Sequence, residues 1–283
     1  MKIKKLLSLG LAATMLLALT ACGGEDTQQK PELTPYELVK QGSDRLDAMD
    51  GVAYELTTQI TMDDNLTAGT ETPTVIYMDM DGTMKQVKVP SDDGINDYQL
   101  YFDMSMTVPV LEAPEGEITT NMLMYYTDGY MYYNIPDYDQ KYKMAMDMTD
   151  AMAEMQGTNL DEIEEDMILD SSVTERDGGK MVKMTLDGSK MTNLIDEYAA
   201  NVVDTADEQM VLQDMPYTVY LDADNNITAI EMELKMTACA AEETVNIDMD
   251  MRIDVTETEG VTIDFPNDLD TYPELMVDPL MAN

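Results

Sequence analysis

The sequence from Val245 to Val255 reads Val-Asn-Ile-Asp-Met-Asp-Met-Arg-Ile-Asp-Val. Every second side chain is apolar, and every side chain between them is polar or charged. Such strict alternation predicts a β-strand that has one face against a core and the other face in water. Because the same pattern recurs through most of the chain, it sets the fold class.

Turn sequences separate the alternating runs. Asp128-Gly129 lies between two Tyr-rich runs, and Asp177 to Gly179 and Asp222 to Asn226 separate later pairs, so each predicts a hairpin. We predict about a dozen strands on this basis. They lie at residues 52–62, 73–88, 97–108, 117–127, 130–135, 141–147, 171–176, 180–187, 215–222, 227–238, 244–256 and 261–265.

Helical patterns are few. Thr34-Pro35-Tyr36-Glu37 is a capping box with Pro at the first helical position, and it predicts an amphipathic helix over residues 35–49. Apolar residues at helical spacing predict further helices over residues 149–169, with a break at Gly157, and over a stretch that Ser189 opens and that extends to Val202. No linker divides the chain after residue 31, so we predict a single domain over residues 34–283.

A dozen antiparallel strands present more apolar surface than these helices can cover. The sequence therefore predicts an α+β fold, in which a large curved antiparallel sheet of about 11–12 strands forms a half-barrel. A few helices pack on its concave apolar face. An incompletely covered face leaves a cavity that suits acyl chains. We expect its lining to include Leu56, Ile60, Met78, Met80, Leu100, Phe102, Met104, Met106, Met122, Met124, Met249 and Met251.

The N-terminus has the order of a secretory signal. Met1 to Lys5 is basic, Leu6 to Ala18 is apolar, and Leu19-Thr20-Ala21-Cys22 matches the lipobox of bacterial lipoproteins. We predict that residues 1–21 are a signal peptide, that Cys22 is the acylated first residue, and that residues 22–33 form a flexible tether. The protein would then be anchored to the outer face of the cell membrane. The alternative is an ordinary signal peptide with a coincidental Cys.

Composition excludes several function classes. The chain holds 16 Lys and Arg against 57 Asp and Glu, a net charge of −41, which excludes nucleic acid as a partner. It has no His, so His-based triads and imidazole metal sites are absent. We find no phosphate loop, nucleophile elbow or basic patch, and we expect neither enzymatic activity nor a cofactor. Once Cys22 is acylated, Cys239 is the only thiol, and we expect it to be buried and inert.

Two patterns have a metal-binding interpretation beside a structural one. Paired Met side chains can bind Cu(I), but Met also fills irregular space in a core, and its spread through every strand favours the core. Asp222 to Glu233 places oxygen side chains like an EF-hand loop, but Ile227 stands where Gly is needed, which favours a hairpin turn. We expect no metal site. The Met groups are Met78/Met80, Met104/Met106, Met122/Met124, Met144/Met146/Met148 and Met249/Met251.

The chain resembles the LolA-like lipoprotein superfamily, which includes the LppX and LprG group and many Gram-positive lipoproteins. The resemblance rests on the lipobox Leu19–Cys22, the helix over 35–49, the long Met-rich strands, the segment Tyr125–Tyr133 and the hairpin Tyr217–Met236. It implies a curved antiparallel sheet with helices on the concave side and, in some members, a lipid in the cavity. It implies no catalytic residue.

These observations together predict a membrane-anchored, non-enzymatic module that binds a lipid or another apolar ligand and acts as a monomer. Two alternatives stay open. The first is an envelope interaction or sensing protein with a solid core and no ligand. The second is a Met-rich Cu(I)-binding protein.

Overall fold

The structure is a computed structural model, and it describes residues 33–64, 74–90, 97–109, 116–146, 163–176, 178–193, 208–240 and 243–275. The predicted signal peptide, Cys22 and the tether up to residue 32 lie outside the described residues. Residues 149–162 and 194–202, for which helices are predicted, also lie outside them.

Helix α1 spans Pro35–Asp47. Its capping box is present in both directions, because Thr34 Oγ1 accepts a hydrogen bond from the Glu37 amide (3.2 Å) and Glu37 Oε2 accepts one from the Thr34 amide (2.8 Å). Leu38, Gly42 and Leu46 lie on its buried face, as the 3.6-residue period predicts. The predicted start is confirmed, and the helix ends two residues earlier than predicted.

Twelve strands form one antiparallel sheet that does not close, which confirms the predicted fold class. Its order is β6-β5-β4-β3-β2-β1-β12-β11-β10-β8-β7, with β9 beside β11. The strands are β1 (Gly51–Asp64), β2 (Thr74–Val89), β3 (Asp97–Pro109), β4 (Glu117–Thr127), β5 (Tyr130–Ile135), β6 (Gln140–Ala145), β7 (Ile168–Arg176), β8 (Gly179–Leu186), β9 (Glu208–Leu212), β10 (Met215–Leu221), β11 (Ile227–Ala240) and β12 (Glu243–Glu257).

Register places the alternating apolar residues of neighbouring strands on one face, the concave face. Ile60, at the centre of β1, faces Met249 of β12 on one side and Met78 of β2 on the other. Met249 in turn faces Leu234 of β11. Because side chains directly opposite each other share a face, this apolar row runs from β2 to β11.

Helix α1 packs near one end of this face, against β7, β8 and β11. That end, the helix end, also holds the β10–β11 turn. The opposite end, where β1 connects to β2 and β3 to β4, is called the open end. The main core lies between α1 and the strands on its side of the sheet, and it includes Leu38, Leu46, Val182, Leu186, Met215, Tyr217, Val219, Leu221, Ile227 and Met251.

The predicted turn chemistry is confirmed in the β4–β5 hairpin. Asp128 and Gly129 both have positive φ, at 53° and 75°, as a two-residue type I′ turn requires. Asn225 also has a positive φ, of 61°, in the β10–β11 turn. Asn tolerates this conformation better than most residues, which fits its place in the turn.

Strand β9 is absent from the predicted set. It pairs with the last part of β11, and β10 pairs with the first part of the same edge. Between them, the Gln213 amide donates a hydrogen bond to the Lys235 carbonyl at 2.9 Å. Backbone hydrogen bonds therefore run almost continuously along this edge of β11. Only five residues long, β9 shows too short an alternation to be recognised.

Two predicted elements are wrong. Residues 261–265 are not a strand, because they form an irregular segment that crosses the convex face of the sheet. The predicted helix does not extend to residue 169, because Glu165–Met167 form a short 3₁₀ turn and β7 begins at Ile168. In both places the sequence pattern indicates that an apolar residue belongs to a core. Tertiary contacts decide whether that residue lies in a helix, a strand or an irregular segment.

Within the described parts of the chain, no helix combines the length and the apolar character needed to cross a membrane.

Candidate functional site

The twelve residues predicted to line a cavity all belong to the strands β1 to β4 and β12. Their register places them on the concave face, but their burial divides them. Seven lie in the packed core, namely Ile60, Met78, Leu100, Phe102, Met124, Met249 and Met251. Leu56, Met80, Met104 and Met122 are half-buried, and Met106 is exposed. Only the second group is available to a ligand.

An open strip of six apolar residues lies on β2, β3 and β4 towards the open end. It consists of Met80, Met104, Met106, Val108, Ile118 and Met122, all of which are half-buried or exposed. Met106 is 37% exposed and Ile118 is 47% exposed. Large apolar side chains at such exposure, side by side on one face, are typical of a contact surface.

Cross-strand pairing makes the strip contiguous. Met80 faces Met106 across β2 and β3, while Met104 faces Met122 and Val108 faces Ile118 across β3 and β4. Side chains directly opposite each other in an antiparallel pair have Cβ atoms roughly 4.5–5.5 Å apart. The six residues therefore form one patch.

Gly82 interrupts the row of side chains beside the strip. It stands between Leu56 of β1 and Met104 of β3 in the same row, where a side chain would otherwise lie. A Cβ at this position would come within 2.6 Å of the Asp103 carbonyl oxygen, so the β3 backbone approaches too closely for any larger residue. A strand Gly with such an approach is typical of a tight bend in a sheet. The Met104 side chain packs over this position, since a Cβ at Gly82 would lie 3.1 Å from the Met104 Cγ.

The strip lies away from the helical cover that the structure describes. Helix α1 packs on β7, β8 and β11, while the strip lies on β2 to β4 at the other end of the strands. The helical residues 188–193 bury Met191 in the main core, to which Met80 and Val108 are attached only at its margin. The gradient of exposure from Met78 (5%) to Ile118 (47%) follows from this arrangement.

A separate notch of about 200 Å³ lies at the helix end. Its walls are α1, the β10–β11 turn and the end of β12, and none of the twelve predicted lining residues borders it. Polar groups such as Asp222, Asn226 and Thr256 line part of it. It is smaller than the usual range of ligand pockets, which begins at about 300 Å³.

The β10–β11 turn at this notch is a hairpin, as predicted. Asp222 Oδ1 accepts hydrogen bonds from the amides of Asp224 (2.9 Å) and Asn226 (2.8 Å), and its Oδ2 accepts one from the Asn226 side chain (2.9 Å). Arg45 of α1 donates to the Asp224 carbonyl. With both oxygens of Asp222 used inside the turn, the carboxylate acts as a structural brace.

The pKa of the Asp222 carboxyl lies below its ordinary value. Burial by itself would raise this pKa, but the hydrogen bonds from Asn226 and Asp224 and the nearby charge of Arg45 together lower it. The turn is therefore stabilised by the ionised form of Asp222.

Residues 38–270 match the DUF6612 family, which is described as a family of unknown function. The chain belongs to the DUF6612 family. No curated protein matches the chain. The match begins within α1 and ends within the 3₁₀ turn Leu269–Thr271, so the family unit comprises the whole sheet and the segment on its convex face. The resemblance to LolA-like lipoproteins stays a prediction.

This DUF6612 chain has no group of three or more His, Cys, Asp or Glu arranged to hold a metal ion among its described residues. Register does bring Met side chains together, because Met80 faces Met106 and Met104 faces Met122. These pairs belong to the open strip or border the core. The Cu(I) hypothesis therefore stays open. Of the Met residues named for it, Met148 lies outside the described residues.

Cys239 is half-buried in the DUF6612 sheet, so the expectation that it is buried is wrong. It lies on β11 opposite Thr244 of β12, with its Sγ 3.7 Å from the Thr244 Oγ1. Its alternation with the buried Ala238 directs it to the other face of the sheet, which explains the partial exposure.

An aromatic cluster on the convex face was not predicted. The C-terminal segment of the DUF6612 unit places Phe265 against Tyr125 (6.1 Å between ring centroids) and Tyr272 edge-on to Tyr132 (5.8 Å). The segment also pairs with edge strand β6, where the Lys143 amide donates to the Pro273 carbonyl at 2.9 Å. Burial, helped by Asp103, raises the pKa of nearby Tyr101 to about 12. The consecutive residues Tyr125 and Tyr126, both buried, were the available sequence signal for a strand covered on both faces.

Proposed function

We propose that this protein is a membrane-tethered, non-enzymatic binding module that takes a lipid or another apolar ligand on the concave face of its sheet, as the LolA-like resemblance implies. The observation that carries the proposal is the open strip, in which Met106 and Ile118 are exposed beside half-buried Met80 and Met104. The ligand would lie along this strip.

The chemistry of the strip suits an alkyl chain. Four of its six residues are Met, an unbranched and polarisable side chain that adapts to the shape of its contact. Removing one methylene group from water yields about 0.8 kcal/mol, so a chain that covers the strip gains several times this amount.

The proposed N-terminal anchor supports the same function. If Cys22 is acylated, residues 23–34 separate it from α1, and the binding face works close to a membrane from which lipid can be drawn. A single acyl chain binds a bilayer marginally and a second makes the anchoring stable. The acidic chain, with its net charge of −41, adds no attraction for anionic head groups.

A fluorescence titration tests the proposal. The probe is an uncharged alkyl chain bearing a polarity-sensitive dye, and its emission should rise and shift to the blue as it enters the strip. Ile118→Glu places a charge in the strip and should weaken binding by about tenfold or more, since an uncompensated charge against an alkyl chain loses at least 1.4 kcal/mol. Tyr77→Glu is the matched control, because Tyr77 is 60% exposed on the opposite face.

Equal binding by the two variants and the parent protein would contradict the proposed site. The proposed function itself would be contradicted if the probe's emission did not change in the presence of the protein. The circular dichroism of the same sample must show a folded β-sheet.

The rival function, an envelope interaction protein, has one specific observation in its favour. Edge strand β7 is nine residues long, and all of its side chains except Ile168 are exposed. Within the described residues β7 pairs only with β8, so its outer backbone edge could add a strand from a partner. Crosslinking in cells from a residue on β7, compared with one on β3, separates this function from lipid binding.

A further inference from the structure

We infer that β7 is the contact through which two copies of this chain associate. The two β7 strands pair antiparallel about a two-fold axis and join both sheets into one. This goes beyond the proposed function and does not depend on it, because the open strip lies on β2 to β4, several strands away in the sheet order. It replaces the monomer that the sequence predicts.

Of the edge strands β6, β9 and β7, the described parts of the chain cover two and leave the third open. On β6, the Lys143 amide donates to the Pro273 carbonyl of the C-terminal segment at 2.9 Å. On β9, the Leu212 amide donates to Thr192 Oγ1 at 2.8 Å. Strand β7 pairs only with β8 there, and all of its side chains except Ile168 are exposed. Such an edge is a template for pairing with another chain.

The backbone of β7 offers three residues to this edge. Arg176 pairs with Gly179 of β8 across a two-residue loop, and the closing pair of such a hairpin exchanges its backbone hydrogen bonds. Alternation then directs the N–H and C=O groups of every second residue towards β8, and those of Ser171, Val173 and Glu175 outward. The bulge at the start of β7 ends this regular edge.

One register between two β7 strands uses all three outward residues. When Val173 lies opposite Val173 of the second copy, Ser171 lies opposite its Glu175, and the exposed 37% of the Val173 side chain meets its symmetry mate. In the same register Asp170 lies opposite Arg176 of the second copy, and the two-fold axis repeats this pair. Opposite charges that face each other across strands stabilise the pairing. A shift to any other register loses both charge pairs.

The charge of the β7–β8 hairpin permits this contact. The net charge of −41 opposes self-association of the chain in general. Between Ile168 and Leu186, however, the sequence balances three acids against three bases, so the hairpin itself adds no net repulsion. The acids are Asp170, Glu175 and Asp177, and the bases are Arg176, Lys180 and Lys183.

Sedimentation velocity of the full chain at about 1 to 200 µM tests the inference, because a single strand pair makes a small interface and predicts micromolar affinity. Asp170→Arg and Arg176→Asp each place like charges opposite each other twice, and each should weaken the dimer at least about tenfold. The double variant should regain the parent affinity. Within one strand the two residues lie about 20 Å apart, so this rescue must occur between chains.

Amide hydrogen exchange followed by NMR tests the same contact without any substitution. The amides of Ser171, Val173 and Glu175 should exchange more slowly as the protein concentration rises. Those of Ser172 and Thr174, which are directed towards β8, should not change.

Three results would overturn the inference. A parent chain that stays monomeric throughout, with exchange independent of concentration, would leave the edge to a different partner, as the rival function has it. Association that ignores both single substitutions would place the contact elsewhere on the chain. A double variant that is folded by circular dichroism and still monomeric would exclude the register. None of these results affects the open strip.

Discussion

Met80 and Met106 face each other across β2 and β3 on the concave side of the sheet, yet Met80 is half-buried and Met106 is 37% exposed. Their register marks where the packed core of the sheet ends. On the β1 side of Met80 lies Thr58, which is 7% exposed, and beyond Met106 lies Thr120, which is half-buried. The apolar face thus extends past the core that α1 covers, and among the described residues the open strip is a less buried part of this face.

Gly42 fixes how closely α1 approaches the sheet. A Cβ there would lie 2.8 Å from Ile227 Cγ1 and 3.3 Å from Leu221 Cδ2. Gly42→Val should therefore lower the free energy of unfolding by about 2 kcal/mol, the usual effect of overpacking a core. Urea denaturation measures it, with Ser43→Val on a half-exposed position of the same helix as control. If both variants unfold at the same midpoint, the helix is not seated by Gly42.

Asp222 should make the stability of the β10–β11 turn depend on pH. Because folding lowers the pKa of its carboxyl, its contribution is present above the unfolded pKa of about 3.9 and is lost as pH falls through the lower folded value. Asp222→Asn should thus lower the free energy of unfolding by about 1 kcal/mol at neutral pH and by less in acid. Denaturant unfolding at both pH values tests this, with Asp224→Asn, in the same turn but exposed, as control. A pH-independent difference would show that the charge of Asp222 is irrelevant.

The Met pairs should not hold copper. Replacing Met104 and Met106 together by Leu conserves volume and should change the free energy of unfolding by less than about 1.5 kcal/mol for each residue. We expect the parent protein to lose Cu(I) to a competing chelator, as the variant does. Retention of Cu(I) by the parent protein alone would establish a thioether site at the open strip.

Cys22 should be the point of membrane attachment. Cys22→Ser should release the protein from the membrane or stall its processing. The thermal unfolding of the folded domain should stay unchanged, because residues 23–34 separate Cys22 from the start of α1. Fractionation of cells carrying the variant measures this. A Cys22→Ser protein that is processed normally and stays fully membrane-bound would contradict the lipoprotein hypothesis.

Local sequence signals predicted most of the sheet, because the conformation of each of these segments is set by residues that are close together in the chain. The alternation from Val245 to Val255 becomes β12, the Asp128-Gly129 pair becomes a type I′ turn, and the capping box at Thr34 begins α1. In each case the side chains that decide the conformation lie within a few residues of one another. A single sequence is sufficient for such features.

Features that depend on distant contacts were not predictable. Ile118 joins the open strip because it faces Val108, a pairing that register alone decides. The segment around Phe265 alternates like a strand, but it packs on Tyr125 of the convex face and forms no ladder. Which of the twelve proposed lining residues are buried also depends on where α1 lies. No spacing in the sequence specifies that position.

The affinity of an uncharged alkyl series tests most directly whether the open strip binds an apolar chain. Alkyl maltosides that differ only in chain length are titrated below their micelle concentrations into the parent protein and into Ile118→Glu. The parent protein should bind about fourfold more tightly for each added methylene, which corresponds to about 0.8 kcal/mol, until the strip is filled. The variant should lose this dependence. An affinity that does not change with chain length in the parent protein would contradict the proposal that the strip binds lipid.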